Sequence, residues 1–165
     1  MEGLALQIKN TQINFGSKEI FNIKELTAYQ NDRIGIVGKN GQGKTTLLNV
    51  IAGLIDPDNG EVDRFVDFNY FEQIAEVKEE INAGDLNPQL LSRLNIPKNS
   101  VATLSGGEQS KFRLVQLLSN YKLGLLLDEP TTHIDKKSIN IMIEELKYYY
   151  GRGCCKTHKY PKMNA

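Results

Sequence analysis

The chain has 165 residues, enough for one domain with a substantial core and too few for two of ordinary size. Twenty Lys and Arg balance twenty Asp and Glu, which excludes bulk electrostatic attraction to nucleic acid or a membrane surface and leaves only local patches. No apolar run approaches the roughly 20 residues that cross a bilayer, and "MEGLALQIKN" lacks a signal peptide's pattern. The only cysteines, Cys154 and Cys155, are sequence neighbours that cannot staple a fold, so a cytoplasmic protein without disulfides is expected.

The first third predicts strands: "LALQIKN", "TQINF", "EIFNIKELTAY" and "DRIGIV" are rich in Ile, Leu, Phe and Tyr and are separated by turn residues. From Lys44 the period changes, with Leu47, Val50, Ile51 and Leu54 at helical spacing. "DPDNG" then closes the segment as a turn, and "EVDRFVDFNYFEQ" reads as strand again. The polar stretch 76–100 suggests one or two short helices outside the main sheet. A helix over Gly106–Ser119, a buried strand over Leu123–Asp128 and an amphipathic helix over Lys136–Tyr150 follow. This alternation predicts an α/β fold with a mostly parallel sheet and crossover helices.

Three stretches carry chemistry. "GKNGQGKTT", Gly38–Thr46, fits G-x-x-x-x-G-K-[ST] between a predicted strand and a predicted helix. Backbone N–H groups of such a loop converge on phosphate oxygens, glycines permit its dihedrals, Lys44 reaches the β and γ phosphates, and Thr45 supplies a hydroxyl to Mg²⁺. Gly38, Asn40, Gly41, Gly43, Lys44, Thr45 and Thr46 are therefore the candidate nucleotide contacts. "LGLLLDEP" places two carboxylates at the end of an apolar strand, Asp128 for the Mg²⁺ hydration shell and Glu129 to take a proton from an attacking water. A bare strand-end turn would explain that pair if it stood alone. "LSGGEQSKFRL" opens with Ser105 and Glu108 in capping-box spacing, a sufficient reason for a helix start. Two glycines in the first turn, each costing about 1 kcal/mol against alanine, instead suit a ligand approaching the helix N-terminus closely.

In the order "GKNGQGKTT", "LSGGEQ", "LLLDEP", residues 1–150 resemble the nucleotide-binding domain of ABC ATPases. The resemblance implies a P-loop NTPase fold with an N-terminal antiparallel β subdomain, a mostly parallel core sheet and a short helical subdomain over about 74–104. It implies ATP and Mg²⁺ as ligands. It further implies that Ser105, Gly106 and Gly107 contact the γ-phosphate bound by a facing domain. Gln73 in "YFEQ" would link Mg²⁺ and water to the helical subdomain, and Phe15 in "INFGSKEIF" would stack on adenine. Without the family, Phe15 is a core strand residue and Gln73 a strand-end polar group. "TTHIDKKS" matches the D-loop, with Asp135 facing the opposite domain; His133 reads as a solvent-facing loop histidine.

Only 31 residues separate Gln73 from Ser105, a shorter helical region than transport ATPases use to dock on membrane helices. "AYQNDRIGIVGKNGQGKTTLLNVIAGLIDPDNGEV" and "LLLDEPTTHID" look like the first nucleotide-binding domain of ABC-F proteins, notably the members that protect ribosomes from macrolides and streptogramins. A subunit of a membrane transporter is the alternative. A GTPase is disfavoured, because no N-K-x-D occurs. The resemblance also implies a composite ATPase site that needs a second ABC domain or a head-to-tail homodimer, and the ribosome as a partner.

Residues 151–165 carry four Lys or Arg and no acid, where an ABC domain continues with an apolar strand and a switch histidine. His158 stands 29 positions after Glu129, near where that histidine belongs, but no acid follows it and "RGCCKT" is poor buried-strand material. A changed reading frame or truncation after about residue 150 is the expectation.

Overall fold

A computed structural model of the chain describes residues 3–71, 86–96, 104–119 and 124–149. The predicted Gln73, most of the helical region 74–104, His158 and the basic tail 151–165 lie outside the described residues. Those described fall into two compact units, one holding residues 3–69 and 124–126, the other 70–71, 86–96, 104–119 and 127–149.

The first unit is built on β1 (Leu4–Phe15), β2 (Lys18–Tyr29) and β3 (Asn59–Arg64), an antiparallel sheet in the order β2-β1-β3. The two strands predicted before residue 16 are in fact one, and the reason is a bulge. Leu6 and Ile8 face inward from even positions, whereas Thr11 and Ile13 face inward from odd ones. Between them Asn10 takes φ 45°, and the register against β3 moves by one residue between Lys9↔Glu61 and Gln12↔Asn59. One extra residue in β1 therefore switches the strand's parity and keeps its apolar side chains on the core face. Buried Thr11 fills the irregularity, its Oγ1 donating to the carbonyls of Lys9 and Glu61 at 3.1 Å each. Gly60 sits opposite, where a Cβ would lie 2.4 Å from the Asn10 carbonyl oxygen.

Helix α1 (Lys44–Ala52) buries Leu47, Leu48, Val50 and Ile51 in the same unit. It ends in a left-handed Gly53 whose N–H returns to Val50 O at 3.1 Å while Leu54 N–H returns to Asn49 O at 2.9 Å. Arg64 of β3 closes the same end, donating from Nε to Ile51 O at 2.7 Å and from Nη2 to Val50 O at 2.5 Å. A cation on the last carbonyls of a helix opposes its dipole favourably.

The predicted single strand "EVDRFVDFNYFEQ" is divided by a bend at Phe65 and Val66 into β3 and β4 (Phe68–Phe71). The chain changes sheets there: β4 pairs with β5 (Gly124–Leu127), not with β1. Gly124 N–H donates to Asp67 O and Asp128 N–H to Phe71 O, so both strands advance together and the pairing is parallel. The predicted strand "DRIGIV" is a correction. Residues 33–39 form no ladder with any described strand, and Val37 is 62% exposed. A parallel ladder is supplied by neighbours remote in sequence, which the segment's own apolar composition cannot provide.

In the second unit α2 (Pro88–Arg93) starts at Asn87, whose side chain accepts from Gln89 N–H and Leu90 N–H, with Pro88 at the first helical position. Helix α3 (Gly106–Ser119) has the predicted bounds and buries Leu114, Val115, Leu117 and Leu118. Helix α4 (Lys136–Tyr148) buries Ile141 and Met142 and is joined to α2 by Arg93, which pairs with Glu144 at 2.6 Å and with Glu145.

Candidate functional site

The candidate residues divide between the units. Gly38–Thr46 and Phe15 belong to the first; Ser105, Gly106, Gly107, Asp128 and Glu129 belong to the second.

In the first unit Gly38–Gly43 leads into α1, and Gly43 at the helix start provides no side-chain cap. Gly41 and Gly43 have φ 79° and 81°, values that exclude most side chains. Gly43 is constrained twice over, since a Cβ there would sit 2.4 Å from Ile20 Cγ2. Lys44 reaches back along its own loop, donating from Nζ to Gly38 O at 2.9 Å and to Lys39 O at 3.0 Å. Its ammonium thus stands over the loop, held on two backbone carbonyls. Thr45 and Asn40 are exposed, and Thr46 is half-buried. Phe15 ends β1 with 59% of its surface exposed, next to the left-handed Gly16. The exposed ring contradicts the plain reading of Phe15 as a core residue.

In the second unit Asp128 directly follows the end of β5; it is 4% exposed, with its N–H held by Phe71 O at 3.0 Å. A buried carboxylate on an anchored strand end is costly unless it serves a partner or a cation. Glu129 follows, exposed, at φ 43°, a left-handed conformation that a non-glycine residue takes at a cost of about 1–3 kcal/mol. Thr132 N–H closes back on Glu129 O at 3.1 Å, so the turn after the carboxylate holds that conformation. Phe71 is itself covered by Arg113 of α3, whose guanidinium carbon lies 4.6 Å from the ring centroid.

The start of α3 is the capping box the spacing predicts. Glu108 accepts from Ser105 N–H at 2.8 Å and from Ser105 Oγ at 2.6 Å, while Glu108 N–H reaches Ser105 Oγ at 3.4 Å. The Ser105 hydroxyl and then its backbone N–H hold the Glu108 carboxyl below its ordinary value. Gly106 is exposed with open space where a Cβ would be, and Gly107 would place a Cβ 3.1 Å from the His133 carbonyl oxygen. The helix start and the turn after Glu129 are therefore packed backbone to backbone.

Two features escaped the sequence reading. Asp135 caps α4, accepting from Ser138 N–H at 2.9 Å and Ser138 Oγ at 2.8 Å, and pairs with Lys111 of α3 at 2.5 Å. The Lys111 ammonium, then the Ser138 backbone N–H and hydroxyl, hold its carboxyl far below the ordinary range. An Asp directly before an amphipathic run is a cap signal, but nothing local announces Lys111 as its partner. The other is Gln42, whose side chain folds back onto its own loop and accepts from Lys39 N–H at 2.6 Å. His133 is exposed, as expected, and takes φ 63°.

Within the first unit the loop offers a positioned ammonium and hydroxyls with no acid among residues 38–46, a donor set that suits a polyphosphate; within the second, Asp128 offers a buried carboxylate. Among the described residues, no helix is long and apolar enough to cross a membrane.

Residues 21–99 match the ABC transporter family. The chain is 44% identical over 147 residues to the erythromycin resistance ATP-binding protein MsrA of Staphylococcus epidermidis, an alignment covering 87% of this chain and 30% of that protein. It is 35% identical over 145 residues to the ribosome protection protein VmlR of Bacillus subtilis, covering 87% of this chain and 26% of the relative. The chain thus spans less than a third of the length of either. Among solved structures, an ATP-binding subunit of an ABC transporter superposes with a TM-score of 0.74 at 18% identity, covering 93% of this chain and 79% of the other. The architecture is the α/β P-loop fold of ABC ATPases, and residues 21–99 are similar to the ABC transporter family.

Proposed function

We propose that the chain is the ATP-binding part of an ABC-F type ATPase that acts on the ribosome in the cytoplasm and confers resistance to macrolide or streptogramin antibiotics. The 44% identity to an erythromycin resistance protein carries this reading, and the relation to a ribosome protection protein supports it. The 31 residues between Gln73 and Ser105 weigh against the alternative, a transporter's ATPase subunit.

In this reading residues 1–150 form the ABC domain, with 74–104 as its short helical subdomain. Gly38, Asn40, Gly41, Gly43, Lys44, Thr45 and Thr46 hold the phosphates and Phe15 stacks on adenine. Thr45, Asp128 and Gln73 hold Mg²⁺, which lowers the charge repulsion on the transferred phosphoryl group when bound. Glu129 orients and deprotonates water. Ser105, Gly106 and Gly107 serve a nucleotide held by a facing domain. One set of motifs supplies half of each composite site, so the chain binds MgATP and turns it over slowly unless a second domain or a head-to-tail copy completes the site. His158 as a switch histidine has no support from an apolar strand before it.

The test is sedimentation with ribosomes. The Glu129→Gln chain with MgATP is expected to co-pellet with 70S particles more than without nucleotide. Equal pelleting with and without MgATP refutes the ribosomal part of the reading. Steady turnover at ordinary enzyme rates, about 1 to 10³ per second, independent of protein concentration, refutes the composite site.

A further inference from the structure

We infer that Gln42, a position the glycine and lysine pattern leaves open, is a positioning residue that fixes the phosphate loop around Lys44; the inference rests on the proposal that this loop binds phosphate. Hydrogen bonds converge on Lys39. Its N–H donates to Gln42 Oε1 at 2.6 Å, its carbonyl accepts from Gln42 N–H at 3.3 Å, and the same carbonyl accepts from Lys44 Nζ at 3.0 Å. Lys44 Nζ also donates to Gly38 O at 2.9 Å. The backbone bond alone would define an ordinary turn over residues 39–42, free to rock about its ends. The side-chain bond from the other side of the Lys39 peptide pins that turn's orientation, which sets where the two carbonyls under the ammonium point.

The first glycine of the motif makes room for this arrangement. A Cβ on Gly38 would stand 2.9 Å from Gln42 Oε1, so a side chain at 38 and the Gln42 bond exclude one another. Two of the three ammonium donors of Lys44 are satisfied by fixed carbonyls, and the third remains for a phosphate oxygen. Ordering the cation before the ligand arrives lowers the entropic cost of binding. Gln42 touches no phosphate in this account; it acts through Lys44. The opposite assignment, a Gln42 side chain that blocks the anion site, predicts the reverse sign.

The experiment uses the whole chain in wild-type, Gln42→Ala, Lys44→Ala and doubly substituted forms. Without nucleotide, exchange of the Lys39 amide by NMR is expected to quicken about 5-fold or more in Gln42→Ala, as befits loss of its acceptor. In titrations with MgATP, ADP and AMP, Gln42→Ala is expected to weaken ATP and ADP about 3- to 10-fold and leave AMP unchanged. The substitution should add nothing in the Lys44→Ala background. An unchanged Lys39 amide, tighter ATP binding, or an equal loss in both backgrounds overturns the inference. A wild-type chain that binds no ATP instead overturns the nucleotide reading, while the Lys39 amide still decides whether Gln42 holds the loop.

Discussion

Gly43→Ala and Gly41→Ala separate two costs that both follow from a left-handed glycine in the phosphate loop. At Gly41, φ 79° with open space around the missing Cβ, alanine meets only the backbone penalty, about 1–2 kcal/mol. At Gly43, φ 81°, the same penalty is joined by a Cβ placed 2.4 Å from Ile20 Cγ2, against an ordinary carbon contact of about 3.5–4.0 Å. Relieving an overlap of that size by shifting a half-buried side chain costs a further 1–3 kcal/mol or so. Alanine also restricts the unfolded chain by about 0.4–1 kcal/mol, a term common to both variants that cancels from their difference. Urea denaturation followed by circular dichroism should therefore place Gly43→Ala below Gly41→Ala by about 1–3 kcal/mol. MgATP affinity should fall in the same order. Adding Ile20→Ala should recover the steric part in the Gly43→Ala background and only destabilise the wild type. Equal stability of the two glycine variants, or no recovery with Ile20→Ala, would refute the reasoning.

Arg64→Met removes two charge-assisted bonds to the last carbonyls of α1 and should destabilise by about 1–2 kcal/mol in the same assay, with the transition slope unchanged. Ser105→Ala breaks the capping box and should loosen the first turn of α3, seen as faster amide exchange at residues 107–109. Asp135 and Glu108 both have carboxyls lowered by folding, so each stabilises fully above its unfolded value and loses that contribution as pH falls through the folded one. Acid unfolding should accordingly steepen below about pH 4, and Asp135→Asn, which keeps a capping oxygen but not the charge facing Lys111, should flatten the slope. Glu129→Gln should leave MgATP affinity within about threefold of wild type while lowering any hydrolysis at least tenfold.

Legibility in the sequence followed how local the physics is. The capping box at Ser105, the bounds of α3 and the burial of Asp128 at a strand end all depend on residues within a few positions, and each is found where the pattern puts it. The bulge at Asn10 was missed because parity alternation on either side of it looks like two strands; only the partner strand shows that one ladder continues through it. "DRIGIV" failed for a related reason, since its apolar character says it suits a buried strand and nothing about whether a neighbour lies beside it. The Lys111–Asp135 pair and the turn of Gln42 onto Lys39 depend on side-chain direction in the folded chain, which spacing alone does not encode. Phe15 shows the limit of composition: an aromatic in a strand reads as core, yet its ring at the end of β1 is exposed.

Whether Gly38–Thr46 is a working phosphate loop is decided by calorimetric titration of the chain with MgATP. Saturable binding with one nucleotide per chain is expected, with a loss of at least tenfold in affinity for Lys44→Ala, which removes the ammonium held over the loop carbonyls. Absence of binding by the wild type, or binding that Lys44→Ala leaves unchanged, would contradict that role.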